Sequence, residues 1–526
     1  MKGDFSTIAT RRNHYNRLLG QQGRVQLDSD MNEQSAIQQR LLRTLIIDLL
    51  GRAGGPRDDC GFGLGDWKAA DGKPRQHDFL IGAGRYYVDG ILVENDGPVA
   101  YADQPHLPDP PLLDNGTSYL AYLDVWERHV TYLEDEAIRE VALGGPDTST
   151  RVQTVWQVRT VAADTRVPPK DEPKDNVPTP PARDLKTERE LKAAEERLEE
   201  VRKQLDGELS AAQRAKLEAA AAKLEAQIKE LASSLETGQP RVPPAAPAPA
   251  PVPVADDHPC TTLLAPIKAW RSGIMAARLP DEAPADTPCV LPIESRYRGL
   301  ENHFYRIEIH AGGDTSDANA VPTFKWSREN GSVATRFLGA KGPDTRVANA
   351  RGFAAGNWVE ISTDADEFAG RPGALRRINR VEGDVLSLDA AVGVPDNAMN
   401  PVIRRWDQAA SDAQALTDGA IAIAPGKGEQ GWIAIEDGIE VQFSEGPYRT
   451  GDYWWITARV ETGELDWPQD ASGVPKALAP AGVEHHYAPL FMVQAVDKAP
   501  FTALIEDCRC LFARLPCLTV ADNEKG

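Results

Sequence analysis

The side chains best suited to bind a metal ion are cysteines near the C-terminus. Cys508, Cys510 and Cys517 lie close together, and thiolates are good ligands for Zn²⁺. However, Cys508-x-Cys510 is tighter than the usual two-residue spacing, and no second Cys/His pair lies at a standard distance. The chain has six cysteines, which is too few for a disulfide scaffold. We therefore expect buried free thiols and no cofactor, and keep the three cysteines as metal candidates.

Aromatic rings beside carboxylates could bind or cleave a glycan, because sugar faces stack on aromatic rings and glycoside hydrolysis uses a pair of carboxyl groups. Four tryptophans motivate this hypothesis: Trp406, Trp432, Trp454 and Trp455. Adjacent residues of a strand point to opposite faces, which places one of Trp454 and Trp455 in the core and the other towards a surface or partner. We interpret the tryptophans as core or interface residues and keep ligand stacking as the alternative.

No catalytic motif emerges from the sequence. The GGPDTST segment at 144–150 lacks the lysine of a P-loop, and GFGLG at 61–65 lacks dinucleotide-binding spacing. Neither a G-x-S-x-G elbow nor an H-E-x-x-H pair is present. His485 and His486 point to opposite faces of a strand, so we expect satisfied histidines rather than one metal site. The sequence favours a non-enzyme and predicts no catalytic residue.

Residues 1–55 predict an N-terminal segment followed by a docking helix. Asp28, Ser29 and Asp30 are suited to cap the start of the helix, and Gly51 to end it. Its apolar residues recur at helical spacing and include Ile37, Leu41, Leu45 and Leu49. We expect this face to dock on the following domain or on a neighbouring subunit.

Two β-rich modules are predicted, over 56–166 and 258–520, the second with two candidate subdomains. The segment RYYVDGILVEN predicts a hairpin around Asp89-Gly90. Asn330-Gly331 predicts another, which would place Phe324 opposite Phe337. A further hairpin is predicted around Glu382-Gly383-Asp384. Residues 521–526 form a tail.

The two modules are separated by a predicted helical insertion. Proline-rich linkers over 167–183 and 238–257 flank an antiparallel helical hairpin over 184–237. Apolar residues of the hairpin alternate by three and four, as in a coiled coil. This predicted seam includes Leu191, Leu198, Val201, Leu205, Leu217, Leu224, Ile228 and Leu231. The insertion is either an arm that binds a partner or a solvated spacer. The fold class is therefore mainly β, as sandwich- or barrel-like modules with an N-terminal helix and the inserted hairpin.

The charge balance excludes some partners. The chain has 526 residues and a formal net charge of -21, which disfavours binding to nucleic acid or to anionic membrane surfaces. The most apolar segment is interrupted by Arg43 and Asp48, so we expect no membrane span. The N-terminus lacks a secretory signal, and we expect synthesis in the cytoplasm.

Several segments resemble those of a known protein family. They are MKGDFS, QQGRVQLDSDMNEQ, YYVDGILVEN, YLDVWERHVTYLED, ALGGPDTSTRVQTVWQVR, YRGLENHFYRIEIH, FKWSRENGSV and EDGIEVQF with YRTGDYWWITAR. The family that they resemble is uncharacterised and is encoded beside phage-tail-like contractile injection systems. The resemblance spans both β regions but leaves out the helical hairpin and its proline-rich flanks. It implies a setting among baseplate, spike or fibre components and no active site.

The leading hypothesis is therefore a non-catalytic structural or adhesive accessory component of such a particle, incorporated after cytoplasmic synthesis. Its partners would be other particle proteins, with self-association and a cell-surface glycan as further hypotheses. A carbohydrate-binding or glycan-cleaving module is the second hypothesis. An injected cargo protein is the third, and it is disfavoured because a stiff two-helix arm packs poorly into a narrow tube.

Overall fold

The computed structural model describes residues 2–3, 14–67, 73–143, 147–163, 258–280, 297–409, 415–426, 428 and 430–513. Over these ranges the chain is mainly β, as the sequence predicts. The predicted helical hairpin, both proline-rich linkers and the tail lie outside the described residues. No helix within these ranges is both long enough and apolar enough to cross a membrane.

Three α-helices are present in the described residues: α1 (Asp28–Leu50), α2 (Pro259–Ala269) and α3 (Asp364–Ala369). The N-terminal helix is confirmed, although Asp28 already lies inside it. The Leu27 N–H donates to the Asp30 carboxylate at 3.2 Å, which satisfies one unpaired amide of the first turn. Gly51 ends the helix with a φ of 83°, a conformation that favours glycine. Short 3₁₀ helices cover Tyr101–Asp103, Glu136–Ile138 and Val141–Leu143.

The first β body is a sandwich of two four-stranded sheets with a short two-stranded ribbon. One sheet has the order β27-β1-β3-β4 and comprises β27 (Leu511–Phe512), β1 (Ala53–Pro56), β3 (Gly84–Val88) and β4 (Ile91–Asn95). The other has the order β26-β25-β6-β7 and comprises β26 (Thr502–Asp507), β25 (His485–Ala495), β6 (Ser118–Val130) and β7 (Arg151–Ala163). The ribbon pairs β2 (Leu80–Ile81) with β5 (Val99–Ala100).

The predicted hairpin at Asp89-Gly90 is confirmed, because Val88 pairs with Ile91 across those two residues. Their φ values are 46° and 78°, which is the left-handed geometry that a two-residue turn requires.

Strands that precede residue 166 and strands that follow residue 257 share this first sandwich. β25 pairs with β6 over most of its length, and β27 pairs with β1. Residues 1–165 and 257–526 accordingly form one compact unit. The two predicted modules are thus joined by common sheets, a pairing that sequence periodicity does not reveal.

The second β body is also a sandwich. Its larger sheet has the order β18-β19-β11-β9-β23-β24 and comprises β18 (Leu416–Thr417), β19 (Ala420–Ala422), β11 (Thr323–Ser327), β9 (His303–Ala311), β23 (Tyr453–Arg459) and β24 (Glu464–Asp466). Its smaller sheet comprises β20 (Ile433–Ala434), β21 (Glu440–Phe443) and β8 (Met275–Arg278). A ribbon pairs β10 (Gly313–Asp314) with β22 (Pro447–Tyr448). The two sheets share one apolar core that contains Tyr305, Phe324, Phe443 and Trp454.

The third body is a closed six-stranded barrel. In order around the barrel, its strands are β12 (Ala334–Lys341), β13 (Asp344–Val347), β16 (Val385–Leu388), β15 (Ala374–Glu382), β14 (Trp358–Ser362) and β17 (Val402–Trp406). Its own apolar core contains Val359, Ile378, Leu386 and Ile403. The predicted hairpin near Gly383 is confirmed, because Glu382 pairs with Val385.

The predicted hairpin across Asn330-Gly331 is wrong. β11 pairs instead with β9 and β19, whereas β12 belongs to the barrel. Asn330 and Gly331 do adopt positive φ values of 49° and 64°. Their turn passes the chain from the second sandwich into the barrel, so Phe324 and Phe337 lie in different cores. A turn signal fixes local geometry, but long-range pairing decides which strands meet.

Candidate functional site

A polar cleft of about 390 Å³ lies where the three bodies meet. We call it the central cleft. It is lined by charged residues of every body and by Lys2 near the N-terminus. The principal charged lining residues are Lys2, Arg128, Arg306, Glu308, Lys325, Glu360, Asp364 and Arg404.

Strand pairing places an ion pair at the centre of the cleft. Glu308 of β9 lies directly opposite Lys325 of β11 in the strand register. The Lys325 Nζ lies 3.2 Å from Glu308 Oε1 and 2.5 Å from Glu360 Oε1. Because Glu360 belongs to β14 of the barrel, this lysine joins the second sandwich to the barrel. All three side chains are nearly inaccessible to solvent.

The remaining oxygens of the two glutamates also have partners. Arg306 Nε donates to Glu308 Oε2 at 2.6 Å. The indole N–H of Trp406 donates to Glu360 Oε2 at 3.0 Å. The Lys325 Nζ also lies 4.5 Å from the centroid of the Trp406 ring, in a cation–π contact. Buried charges persist only when they are paired and hydrogen-bonded, and this cluster meets that condition.

The cations hold both glutamates in their charged form. Burial favours the neutral acid and is the largest influence, but Lys2, Arg306 and Lys325 outweigh it and lower the pKa of Glu308. At Glu360 burial also favours the neutral acid, but the charge of Lys325 and a hydrogen bond from His310 hold the pKa of this carboxyl well below its ordinary value. Both carboxylates are therefore ionised at neutral pH.

The N-terminus of the chain takes part in this cluster. The Lys2 Nζ lies 3.1 Å from Glu308 Oε1. The Gly3 N–H donates to the Asn330 carbonyl at 3.2 Å, and Asn330 Nδ2 donates back to the Gly3 carbonyl at 3.0 Å. Two residues of the N-terminus are thus fixed against the turn that connects the second sandwich to the barrel.

A second ion-pair group connects the first sandwich to the barrel. Arg128 of β6 pairs with Asp364 of α3, and its Nε donates to Glu367 Oε2 at 3.0 Å. Asn400 Nδ2 donates to the other Asp364 oxygen at 2.8 Å. The Arg128 guanidinium also lies 4.8 Å from the centroid of the Phe368 ring. This group fixes α3, which directly follows β14, against β6.

The paired histidines behave as the sequence predicts. His485 Nδ1 lies 2.6 Å from Asp124 Oδ1, whereas His486 Nδ1 lies 3.0 Å from Asp89 Oδ2. The two rings therefore face different carboxylates, and each has its own partner.

The central cleft is chemically suited to hold bodies together. Each carboxylate at its centre is neutralised by a cation from a neighbouring element, and each of the three bodies contributes a charge. The arrangement resists relative movement of the bodies, because separating any pair would leave a buried charge without its partner.

Two of the four predicted ligand-stacking tryptophans are buried. Trp406 is 0% and Trp454 1% exposed, so both are core residues, which agrees with the interpretation from the sequence and leaves no ring face on which a ligand could stack. Trp455 is half-buried, and its indole N–H donates to Asn330 Oδ1 at 3.0 Å. Trp432 is half-buried beneath Arg278, whose guanidinium lies 4.2 Å from the ring centroid. Trp454 lies in the core and Trp455 lies nearer the surface, as strand alternation predicts.

The docking helix presents most of its predicted apolar face to solvent. Ile37 is buried at 1% exposure, but Leu41, Leu45 and Leu49 are 45%, 55% and 72% exposed. Of the two docking partners expected for this face, the following domain does not cover the three leucines, and docking on a neighbouring subunit stays a prediction. The buried side of α1 is instead largely polar, and Arg43 contacts Glu127 of β6 at 2.6 Å.

The cysteines also differ from expectation. Cys260 and Cys508 form a disulfide, so they are not the free thiols that we expected. Cys60 and Cys510 are free, and Cys510 is exposed. Cys517 lies outside the described residues, as do all residues of the predicted coiled-coil seam. Of the three cysteines kept as metal candidates, the structure therefore bonds Cys508 to Cys260 and leaves Cys510 as an exposed free thiol.

Sequence reasoning missed the charged residues of the central cleft. A signal for them exists, because Arg306, Glu308 and His310 alternate with apolar residues along one strand. Residues two apart share a face, so this pattern predicts a charged face on β9. It does not show that the charged face is buried.

Comparison with known proteins gives a family. A family model described as a family of unknown function, DUF6519, matches residues 1–168 and 188–525. The chain belongs to this family. The match resumes at residue 188 and so includes most of the predicted helical hairpin, which the sequence resemblance had left out.

Other comparisons add little to the DUF6519 assignment. No curated protein matches the chain. A crystal structure of TssK aligns with 84% of this chain and 99% of that chain, at 9% identity and a TM-score of 0.15. So low a TM-score does not indicate a shared fold.

Proposed function

We propose that this DUF6519 protein is a non-catalytic structural or adhesive accessory component of a phage-tail-like contractile injection particle, acting through contacts with other particle proteins. The exposed leucine face of α1 carries the proposal. We call this face the leucine stripe and define it as Leu41, Leu42, Leu45 and Leu49.

The leucine stripe is a continuous apolar surface. Leu41, Leu45 and Leu49 follow one another at intervals of four residues, and Leu42 lies three residues before Leu45, so all four lie on one side of the helix. Leu42 is 58% exposed, and the other three have comparable exposure. Contiguous exposed apolar patches of this kind mark sites of protein interaction.

The helix that carries the stripe is held firmly by polar contacts on its other side. Gln39 Nε2 donates to Glu127 Oε1 at 3.1 Å, and Arg40 Nη2 donates to the Tyr15 carbonyl at 3.0 Å. Leu18 N–H also donates to Gln34 Oε1 at 2.8 Å, so the preceding segment runs back along the helix. A fixed helix loses little conformational freedom on binding, which favours docking into an apolar groove of a partner.

The sequence resemblance supplies the setting, because it associates these segments with contractile injection systems. The alternative of glycan recognition is weakened by the burial of Trp406 and Trp454.

The test is co-purification with the particle. Particles from the organism that makes this chain are purified and analysed by mass spectrometry. We expect the wild-type chain in the particle and loss of the variant Leu45→Asp/Leu49→Asp. A matched control, Leu112→Asp/Leu300→Asp, places aspartates at exposed leucines outside the stripe and should be retained.

Two results would contradict the proposal. One is absence of the wild-type chain from purified particles. The other is retention of the stripe variant at wild-type level. If light scattering shows the wild type as a dimer and the stripe variant as a monomer, the stripe binds a second copy instead of another particle protein.

A further inference from the structure

A second group of metal-ligating side chains lies outside the central cleft, where the chain re-enters the described residues at His258. Helix α2 follows directly and packs on the first sandwich. Cys260 and Leu264 of this helix are buried against Leu120, Tyr122 and Met492. The helix therefore covers the face of the β26-β25-β6-β7 sheet that points away from the first sandwich core.

Two cysteines meet at this contact. Cys260, in the first turn of α2, is bonded to Cys508, directly after β26, and their Cα atoms are 6.1 Å apart. The Cys508 N–H donates to the Leu490 carbonyl at 2.9 Å, which fixes its backbone beside β25. Both sulfurs are thus held by elements that belong to one sheet and its covering helix.

Two further donors lie at the same point. His258 Nε2 and Glu506 Oε1 are 2.8 Å apart. The ligand atoms of His258, Cys260 and Glu506 all lie within 4.8 Å of one another. Each cysteine is therefore accompanied by a donor two residues earlier, as His258-x-Cys260 and Glu506-x-Cys508, and the two pairs converge.

We propose that His258, Cys260, Glu506 and Cys508 bind one Zn²⁺ when the disulfide is reduced. Two thiolates, one imidazole and one carboxylate are four ligands that zinc accepts in tetrahedral geometry. Cys260 is 2% exposed and forms the apolar back of the site. The His258 and Glu506 side chains are 41% and 38% exposed and form its open side, through which the ion can enter.

The change from disulfide to metal site is a balanced reaction. A dithiol reductant transfers two electrons and two protons to the Cys260–Cys508 bond, which breaks into two thiols while the reductant becomes a disulfide. Zn²⁺ then displaces the two thiol protons and binds both thiolates. In a tetrahedral site with Zn–S bonds of about 2.3 Å, the sulfurs lie about 3.8 Å apart. Rotation of the two side chains supplies this separation.

The disulfide and the proposed zinc site connect the same two elements of the fold. The disulfide or the zinc ion joins α2, the first described element after residue 257, to β26 and the residue that directly follows it. The site would therefore keep α2 attached to the sheet that contains β26 under both oxidising and reducing conditions. This inference concerns a site separate from the leucine stripe and does not depend on the proposed function.

The test uses the full chain reduced with dithiothreitol and desalted under anaerobic conditions. Zinc chloride is titrated in competition with a chromophoric chelator. We expect one equivalent of Zn²⁺ per reduced chain and none per oxidised chain. Substituted Co²⁺ should give the visible absorption of a tetrahedral site together with thiolate-to-cobalt charge transfer.

The variants separate this site from other sites. His258→Ala and Glu506→Gln should each weaken zinc binding at least about tenfold, and neither touches the disulfide covalently. Cys510→Ser is the matched control, since Cys510 is an exposed free thiol two residues from Cys508 and should leave affinity unchanged. The proposal is overturned if the reduced chain binds no zinc. It is also overturned if His258→Ala and Glu506→Gln bind as the wild type does, or if Cys510→Ser alone removes binding.

Discussion

The central cleft buries charged side chains, whereas the leucine stripe exposes apolar ones. In the cleft, Lys325 and Glu308 are each 2% exposed and have partners from neighbouring elements. On the stripe, Leu49 is 72% exposed. The buried charges of the cleft are therefore paired within the chain. The leucine stripe stays exposed to solvent and would gain free energy only by contact with another molecule. The comparison indicates that substitutions in the cleft should change stability, and that substitutions on the stripe should change binding.

The largest effect is expected from removing the central cation. Lys325→Met leaves Glu308 and Glu360 buried without their shared lysine, which should lower the free energy of unfolding by about 3–5 kcal/mol. Urea denaturation followed by fluorescence measures the change. Arg380→Met is the matched control, because the Arg380–Glu382 pair is more than half exposed and should contribute less than about 1 kcal/mol. If both variants lost the same free energy of unfolding, the claim that the buried ion pairs stabilise the chain more than the exposed pair would be wrong.

Lowering the pH should destabilise the folded chain through His129, which lines the central cleft. Burial, together with positive charges that include Arg404 and Arg306, lowers the pKa of His129 to about 3. Between its ordinary pKa of about 6.5 and this value, the unfolded chain binds a proton that the folded chain does not. Stability should therefore fall as pH decreases through this window, by up to about 1.4 kcal/mol per pH unit. Unfolding measured from pH 7 to pH 4 should show a smaller slope in His129→Gln, and an unchanged slope would refute the assignment.

A gain in stability is expected from replacing Asp452, because its neighbours do not offset the cost of burying its negative charge. Burial raises the pKa of Asp452 to about 6, above its ordinary value of about 3.9. The folded chain then binds the proton more tightly, so this group's contribution to stability decreases as pH rises from about 4 to about 6. Asp452→Asn should stabilise the chain by about 1–3 kcal/mol at pH 8 and by much less at pH 4. Thermal unfolding at both pH values measures the difference, and an equal gain at pH 4 would contradict a titration effect.

The smallest effect on stability is expected on the leucine stripe. Leu45→Asp/Leu49→Asp replaces exposed side chains and should change the free energy of unfolding by no more than about 0.5 kcal/mol per residue. Ile37→Ala on the buried side of the same helix should lose about 2–5 kcal/mol. Denaturation of the isolated chain measures both. A large loss in the stripe variant would mean that these leucines stabilise the fold and are not reserved for a partner.

Local signals predicted the local structure well. The helix at 28–50 and the turns at Asp89-Gly90 and Gly383 follow from caps, periodicity and turn residues, which act within a few positions. The same reasoning failed at Asn330-Gly331, where the turn geometry is correct but the flanking strands belong to different bodies. It also placed Trp406 among candidate ligand-stacking residues, because residue type does not reveal burial.

The candidate sites depend on residues far apart in sequence. Glu360 meets Lys325 only because the barrel packs against the second sandwich. Cys260 meets Cys508 across 248 residues of chain. In neither pair does the local sequence around one residue predict which distant residue it will contact.

From the sequence alone it follows that the chain is mainly β, that its first 55 residues contain an apolar-faced helix, and that its segments resemble a family encoded near contractile injection systems. Which strands share a sheet, which charges are buried together and which face of α1 remains exposed depend on the packing of distant segments. The two kinds of information differ in the sequence distance over which the underlying interactions act. Propensity, capping and turn geometry act between neighbours in the chain, whereas burial and ion pairing depend on the packing of the whole chain.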